Sequence, residues 1–357
     1  MSILARVLVR YHYQLPPELI AQAPASPRDS AKLLVYNRKM RAVSFDTFRN
    51  ITKYLPKGAL LVFNETKVIP ARFTVQKETG GKAVLLYVRT EGKNIIALCD
   101  RPLSIGSKLK LGGKEQFIVQ AQEKQVTLKP LFPLRNWFSM LEKYGKTPIP
   151  PYIKHSPLTE AKLKEKYQTV FARERGSVAA PTASLHFTRA LLAKIKKAGH
   201  DVAFVTLHVN LGTFAPVKEE QLASGKLHEE YFEISEKTAA LINRAKKEGR
   251  PVIAVGTTVT RTLESACVPS PLPSPTRGEG IFGDHVRAVQ STTDLFIREG
   301  YQFKIISGMI TNFHVPESSL LMLVSALIGR KKLFALYAQA IEKKLRFFSF
   351  GDGMLIY

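Results

Sequence analysis

The feature that most constrains the fold is a change of pattern that begins near Lys67 and lasts to about Leu131. On either side, helix-type and strand-type segments alternate; inside it, short β-type runs are separated by Gly, Lys and Glu turns. The runs are Val68 to Gln76, Lys82 to Arg89, Asn94 to Leu98, Lys108 to Leu111, Phe117 to Ala121 and Val126 to Leu131. Short strands at this spacing predict a small sandwich or barrel. One amphipathic helix, Leu134 to Tyr144, is expected to follow.

The rest of the chain has the pattern of an α/β domain. Strands are expected at Lys32 to Tyr36, Leu60 to Phe63, Val202 to His208, Val252 to Gly256, Phe303 to Ser307 and Met354 to Tyr357. Helices are expected at Thr159 to Tyr167, Thr188 to Ala198, Ser235 to Glu248, Arg261 to Ala266, Ser318 to Ile328 and Phe334 to Lys344. The predicted fold is an α/β main domain built from both chain ends, residues 1–63 and 148–357, with a small antiparallel β-barrel inserted at residues 64–147.

Charge narrows the class of partner. The 53 Lys and Arg residues exceed the 29 Asp and Glu residues, which gives a formal net charge of +24. Such a surplus favours a polyanionic partner, because basic side chains neutralise phosphates and release counterions. A general bias toward basic residues is the alternative, but lysines spread along a whole domain favour nucleic acid. The barrel lysines are Lys82, Lys93, Lys108, Lys110 and Lys114.

Several classes of protein are disfavoured. Cys99 and Cys267 are too few for a disulfide framework or a zinc module, and they suit a reducing cytoplasm. The longest apolar run, Leu320 to Ile328, is far shorter than the roughly 20 residues of a spanning helix, so no membrane role is expected. No pair of histidines has helical metal-ligand spacing, so no metal is expected. The Pro-rich segment at residues 268–280 is expected to be an exposed inserted loop without a catalytic role.

Two stretches, Arg173 to Phe187 and Thr206 to Phe214, look like active-site backbone. In both, small residues, hydroxyls and a histidine alternate with single apolar anchors, as expected where backbone approaches a polar ligand. The second stretch follows the apolar run Val202 to Val205, and open α/β sheets bind ligands at the carboxyl ends of their strands. The candidate residues are Arg173, Pro181, Thr182, His186, His208, Gly212 and Thr213.

Two strand-to-helix junctions carry further polar groups. The strand ending at Gly256 is followed by Thr257, Thr258 and Arg261, a pattern that suits an anion through backbone N–H groups, hydroxyls and a charged clamp. A threonine cluster that merely caps a helix has the same appearance. Asn312 and His314, in the segment Met309 to Pro316, could meet a ligand or cap the next helix. The chain lacks the sequence motifs of common hydrolases, nucleotide kinases and Rossmann methyltransferases.

Together these segments resemble one family, the S-adenosylmethionine:tRNA ribosyltransferase-isomerases of queuosine biosynthesis. The resemblance rests on Ala179 to Phe187, Thr206 to Phe214, Val255 to Thr258, Arg261 to Ser265 and Ile310 to Pro316. It extends through Leu15 to Gln22, Val62 to Arg72, Tyr144 to Pro148, Tyr167 to Val170 and Arg346 to Ser349. Ser184 and Asn210 depart from the family pattern, since glycine is typical at both positions, and Val259-Thr260 stands where Ser-Val is typical.

The resemblance implies a two-domain enzyme, an α/β domain with an inserted β-barrel, and a specific reaction. The ribosyl part of S-adenosylmethionine is transferred to 7-aminomethyl-7-deazaguanine at the tRNA wobble position and rearranged into an epoxycyclopentane. The products are epoxyqueuosine-tRNA, adenine and methionine. S-adenosylmethionine is consumed as a cosubstrate, so no recycling cofactor is implied.

This reaction suggests roles for the candidate acids and bases. The sulfonium acidifies the adjacent ribose carbon, so the first step needs a base in a site poor in water, and His186 or His208 is expected to serve. The departing adenine needs a proton donor, for which Asp352, Glu264 or a histidine is expected.

Other residues are expected to bind the substrates. Arg261 with Thr257 and Thr258 is expected at the methionine carboxylate or a tRNA phosphate. Arg173 is expected at the anticodon loop, because sequence-specific readers of RNA address unpaired bases. The barrel lysines would steer the tRNA backbone. The further expected substrate contacts are Pro181, Thr182, Gly212, Thr213, Asn312 and His314.

The expected partners are tRNA, through its anticodon loop, and S-adenosylmethionine, acting on a cytoplasmic monomer. Two other functions remain open at this point. One is a non-catalytic tRNA- or rRNA-binding protein on the same scaffold, and the other is an S-adenosylmethionine-dependent RNA methyltransferase of atypical fold. The small-molecule product separates them: adenine, none, or S-adenosylhomocysteine.

Overall fold

The computed structural model describes residues 7–209, 217–268 and 284–357. The strands are β1 Lys32–Asn37, β2 Ala42–Thr47, β3 Leu60–Asn64, β4 Thr66–Val68, β5 Arg72–Lys77, β6 Lys82–Glu91, β7 Asn94–Cys99, β8 Lys108–Leu111, β9 Lys114–Gln122, β10 Val126–Pro130, β11 Glu174–Ser177, β12 Asp201–Leu207, β13 Lys226–Ile234, β14 Val252–Val255, β15 Cys267–Val268, β16 His285–Val286, β17 Val289–Leu295, β18 Gly308–Asn312 and β19 Gly353–Ile356.

The α-helices are α1 Trp137–Tyr144, α2 Glu160–Lys166, α3 Arg189–Lys197, α4 Glu219–Ser224, α5 Glu236–Lys247, α6 Thr257–Ser265, α7 Ser319–Ile328 and α8 Arg330–Glu342. Short 3-10 helices span Pro17–Leu19, Arg28–Ser30, Phe48–Lys53, Leu134–Asn136 and Thr182–His186. Hydroxyl side chains cap the N-termini of four α-helices, each accepting from the N–H three residues on. The capping residues are Thr159, Thr188, Ser235 and Ser318.

In the described part of the chain, nine strands form one mixed sheet in the order β17-β13-β12-β3-β14-β18-β19-β1-β2. The centre is parallel, since β12, β3, β14 and β18 run in the same direction. Because β3 and β1 come from the N-terminal part of the chain and their neighbours β12, β14 and β19 come from the C-terminal part, both ends build this sheet.

The central strand β3 divides the main domain into two apolar cores. Leu60 and Val62 pack on one face with helices α5 to α8, while Leu61 and Phe63 pack on the other with α3. A continuous apolar strand is expected for a parallel sheet that is covered on both faces. The carboxyl ends of the central strands then remain the place where polar side chains can meet.

Within residues 72–130, all of which are described, six antiparallel strands close into a barrel in the order β10-β7-β6-β5-β8-β9. Trp137 of α1 covers this barrel, with ring centroids 5.2 Å from Phe73 and 5.8 Å from Phe117. The α/β domain with an inserted antiparallel barrel is therefore confirmed. Strand β4 pairs with β11 of the main domain, and the division at residues 63/64 and 147/148 stays a prediction.

The structure corrects several predicted boundaries. No strand forms at Phe303 to Ser307; the N–H groups of Ile305 and Ile306 donate to the Glu264 carboxylate instead, and the strand begins at Gly308. Helix α6 begins four residues before the predicted start, because the threonine-rich turn is its own first turn. Helix α8 likewise begins earlier, directly after Gly329. Strands β2 and β17, which form the two edges of the sheet, and β13, which lies next to β17, were not predicted.

Candidate functional site

A pocket that opens to solvent lies at the carboxyl ends of β12, β14 and β18. The described residues that line it are Tyr152, Ala180, Pro181, Thr182, Ala183, Val209, Gly256, Thr257, Thr258, Thr311, Asn312, Phe313, His314, Val315, Leu320, Phe348 and Ser349. Six of the predicted site residues are among them: Pro181, Thr182, Thr257, Thr258, Asn312 and His314. None of these described lining residues is Lys, Arg, Asp or Glu. The lining therefore offers dipoles, hydroxyls and aromatic faces rather than full charges.

One wall of the pocket is the beginning of helix α6. Its N-cap residue, Gly256, has φ +104 and no side chain with which to cap the helix. The first N–H groups of a helix have no intrahelical acceptor, and they form the positive end of its dipole. Asn64, at the end of β3, fixes this wall by donating to the Leu207 carbonyl (2.9 Å) and the Thr258 hydroxyl (3.4 Å). The wall is built to face a hydrogen-bond acceptor.

A second wall is a hydrogen-bonded chain that runs from the pocket into the core. Thr182 Oγ1 donates to Asn312 Oδ1 at 2.9 Å. Asn312 Nδ2 lies 3.4 Å from both the Asp352 carbonyl oxygen and His186 Nε2. Because a carbonyl oxygen can only accept, Asp352 fixes which end of the Asn312 carboxamide faces it. Thr182 must then donate to Asn312, and its lone pairs are left for a donor in the pocket.

His186 lies behind Asn312, where its ring stacks on Phe48 with centroids 4.1 Å apart. Burial, assisted by the charges of Arg346 and Arg28, lowers the pKa of His186 from 6.5 to about 3. The imidazole is therefore neutral at physiological pH, and its unprotonated Nε2 accepts from Asn312. This histidine positions the carboxamide and is not part of the pocket lining.

His314 is the histidine that lines the pocket. Its Nε2 lies 2.7 Å from Thr311 Oγ1, and its backbone N–H donates to the Tyr337 hydroxyl at 2.8 Å. Burial lowers the pKa of His314 to about 3. A neutral imidazole thus stands at the pocket wall, held at both its ring and its backbone.

An aromatic wall completes the pocket, and its residues were not among the predicted site residues. The rings of Tyr152 and Phe348 lie 4.9 Å apart, and the Tyr152 hydroxyl is 2.6 Å from the Ser349 hydroxyl. Phe348 has φ +69, a backbone conformation that costs a residue with a side chain roughly 1–2 kcal/mol. The aromatic run Phe347 to Phe350 was the signal in the sequence.

Three predicted residues do not line the pocket, and their side chains are engaged elsewhere. Arg261, 3% exposed, forms an ion pair with Glu230 and donates to the carbonyls of Leu295 (3.1 Å) and Thr293 (3.3 Å). It fastens α6 to β13 and β17 and does not face the pocket.

The other two are the predicted proton donors, Asp352 and Glu264. The Asp352 carboxylate accepts from the backbone N–H groups of Lys32 (2.9 Å) and Arg346 (2.7 Å). The Glu264 carboxylate accepts from three consecutive backbone N–H groups and from the Tyr301 hydroxyl. Both carboxylates hold turns of the main domain, and the structure does not bring them into the pocket.

His208 and Arg173 occupy a separate place beside β4 and β11. The His208 ring packs against Gly176 and stacks on Tyr231, and its Nδ1 lies 2.8 Å from Thr66 Oγ1. Burial lowers the pKa of His208. Arg173, 70% exposed, pairs with Glu65 and Glu174 at 2.9 and 2.8 Å. His208 is next to the lining residue Val209, so it adjoins the pocket without lining it.

Other predictions concern residues outside the pocket. Gly212, Thr213 and the departure at Asn210 lie outside the described residues, as does the Pro-rich segment from residue 269 onward. Ser184 is buried in the 3-10 helix Thr182–His186 and does not line the pocket. Among the described residues, no three His, Cys, Asp or Glu side chains cluster to hold a metal ion. No helix in the described ranges has the length and apolar character to cross a membrane.

Comparison with known proteins shows the family to which the chain is related. The queuosine biosynthesis protein family matches residues 8–356. The chain belongs to this family. Its relatives from Thermoanaerobacter sp. (strain X514) and Carboxydothermus hydrogenoformans, both named S-adenosylmethionine:tRNA ribosyltransferase-isomerase, are 44% and 45% identical to it. Each alignment covers 97% of this chain and 98% of the relative.

A solved structure agrees with the family assignment. The crystal structure of S-adenosylmethionine tRNA ribosyltransferase from Thermotoga maritima matches 98% of this chain and 100% of its own, at 31% identity and a TM-score of 0.52. The resemblance that the motifs indicated is thus confirmed for this member of the queuosine biosynthesis family. The roles of individual residues stay predictions.

Proposed function

We propose that this protein is an S-adenosylmethionine:tRNA ribosyltransferase-isomerase. It transfers the ribosyl moiety of S-adenosylmethionine to 7-aminomethyl-7-deazaguanine at the wobble position of tRNA and isomerises it. The products are epoxyqueuosine-tRNA, adenine and methionine. The observation that carries this proposal is near full-length similarity, 43–45% identical, to relatives with that name.

We place S-adenosylmethionine in the pocket at the carboxyl ends of the central strands. The pocket is concave and combines apolar and aromatic walls with a few convergent polar groups, as small-molecule sites do. A lining without Lys or Arg avoids repulsion of the sulfonium, and the faces of Tyr152 and Phe348 attract a cation or stack on a purine. Thr182 accepts a ligand N–H or O–H, with Asn312 and His186 setting the direction of its hydroxyl.

We assign the acid–base role in this pocket to His314. It is the histidine among the described lining residues, and its neutral imidazole is the form that can accept a proton from the acidified ribose carbon and later return it to the departing adenine. Burial makes this imidazole a weak base, so the role needs bound substrate to raise its pKa. His186 acts through Asn312, and His208 stands beside the pocket on the side of β4.

The tRNA contacts lie outside the pocket. The barrel lysines Lys82, Lys93 and Lys114 are exposed, and Arg173 is 70% exposed on the main domain. We propose that these groups hold the backbone and the anticodon loop, so that the wobble base reaches the pocket. S-adenosylmethionine is consumed, so no further cofactor enters the reaction, and the enzyme works as a cytoplasmic monomer.

Incubation with S-adenosylmethionine and tRNA that carries the aminomethyl-deazaguanine base tests this function. Adenine release that depends on the modified tRNA, with a mass gain on that tRNA, is the expected result. S-adenosylhomocysteine as the product would instead identify a methyltransferase. Salt-sensitive tRNA binding without any small-molecule product would identify a non-catalytic RNA-binding protein.

A further inference from the structure

We propose that the N-terminus of helix α6 binds the carboxylate of the amino-acid part of S-adenosylmethionine, through backbone N–H groups and the Thr257 hydroxyl. This inference rests on the proposed function, because it takes S-adenosylmethionine as the occupant of the pocket. It places the carboxylate end of S-adenosylmethionine at the α6 wall of the pocket, where no charged side chain takes part in binding it.

The helix supplies the first part of the argument. Helix α6 has nine residues, enough to develop a dipole, and its first residues Thr257 and Thr258 line the pocket. The N-cap is Gly256, so no side chain satisfies the first N–H groups. Such a helix end prefers ligands that are negatively charged hydrogen-bond acceptors.

The Thr257 side chain supplies the second, independent part. The residue is only 6% exposed and lines the pocket, and among the described residues no hydrogen bond engages its hydroxyl. Its neighbours on α6 differ: the Thr258 hydroxyl accepts from Asn64, and the Thr262 hydroxyl donates to the Thr258 carbonyl at 2.9 Å. A hydroxyl that lines the pocket and has no protein partner is available to a ligand.

Charge distinguishes a carboxylate from a tRNA phosphate as the occupant. Phosphates of nucleic acids are bound by hydroxyls and helix N-termini as well as by Lys and Arg, but no described lining residue is Lys or Arg, so this wall lacks the full positive charge that a tRNA phosphate attracts. Arg261, one turn further along α6, is turned away and neutralised by Glu230. An uncharged anion site suits a ligand that brings two positive charges of its own, the ammonium and the sulfonium, because an additional cation would repel them.

The test compares S-adenosylmethionine with its decarboxylated analogue, in the presence of the modified tRNA. Affinities are measured by calorimetry and turnover by adenine release, for the wild type, for Thr257→Val and for a matched control, Thr262→Val. The control makes the same change of shape on the same helix, but at a hydroxyl that bonds within the helix.

The wild type is expected to bind S-adenosylmethionine roughly 10- to 100-fold more tightly than the decarboxylated analogue, since the carboxylate accepts charge-assisted hydrogen bonds. Thr257→Val should weaken S-adenosylmethionine roughly tenfold and leave the analogue unchanged, while Thr262→Val keeps the wild-type ratio. Equal weakening of both ligands by Thr257→Val, or a wild type that binds both ligands equally, would overturn the inference. The proposed function fails separately, if ligands bind with the expected ratio but no adenine is released.

Discussion

Substitution of Arg261 tests whether this residue stabilises the fold, as its contacts indicate, or binds the substrate. Its guanidinium is buried between Glu230 and the carbonyls of Leu295 and Thr293. In Arg261→Met the cation is removed while Glu230, 2% exposed, stays in the core. Loss of one partner of a buried ion pair costs about 3–5 kcal/mol, a large part of the ~5–15 kcal/mol that keeps a typical domain folded.

The assay is urea unfolding of Arg261→Met and of the double variant Arg261→Met/Glu230→Leu, followed by the KM for S-adenosylmethionine. Replacement of both partners by apolar side chains is often neutral or stabilising, so the double variant should unfold within about 2 kcal/mol of the wild type. Its KM should remain close to the wild-type value, because neither side chain faces the pocket. A stable Arg261→Met variant with a strongly raised KM would show that Arg261 clamps the substrate and would refute this reasoning.

Three further predictions follow from the pocket and the surface. Thr182→Val should raise the KM for S-adenosylmethionine about tenfold, because it removes an acceptor whose direction Asn312 fixes, and Thr182→Ser should restore it; equal KM values for both variants would contradict this. Below pH 6.5 the unfolded chain protonates His186 and the folded chain does not, so between pH 6.5 and about 3 the unfolding free energy should fall by about 1.4 kcal/mol per pH unit for this residue; His186→Phe should remove that part of the slope in unfolding curves. Reversing the charge of three barrel lysines should weaken tRNA binding and flatten its salt dependence in filter-binding titrations. The slope of log K against log salt concentration should change by about 0.7–0.9 per lysine, whereas charge reversal at Lys237 on α5 should change neither.

The two-domain architecture could be predicted because the spacing of hydrophobic residues along the chain differs between the barrel and the α/β domain. The buried strand β3 and the helices that begin after Thr188 or Ser318 have strong local signals. The outer strands β2, β13 and β17 were missed because many of their residues are exposed and polar, as in Lys226–Ile234. The strand expected at Phe303 failed because a distant carboxylate takes its backbone N–H groups.

The site was predicted in part for a similar reason. Thr257 and Asn312 could be found because each lies at the carboxyl end of a parallel strand, and the carboxyl ends of such strands meet at one edge. Arg261 lies on the same helix as Thr257, but the helix turns its side chain toward β13 and β17, which the sequence alone does not place. The aromatic run Phe347 to Phe350 is visible in the sequence, but the left-handed backbone that turns Phe348 to the pocket is uncommon for a bulky residue and has no local sequence signal.

The most direct measurement uses S-adenosylmethionine labelled either in the ribose or in the methyl group, with tRNA that carries the aminomethyl-deazaguanine base. The proposed reaction predicts that the ribose label enters the tRNA as adenine is released, in equal amounts, while the methyl label leaves with methionine. Transfer of the methyl label to tRNA, or retention of both labels in unreacted S-adenosylmethionine, would contradict the assignment of this pocket to ribosyl transfer.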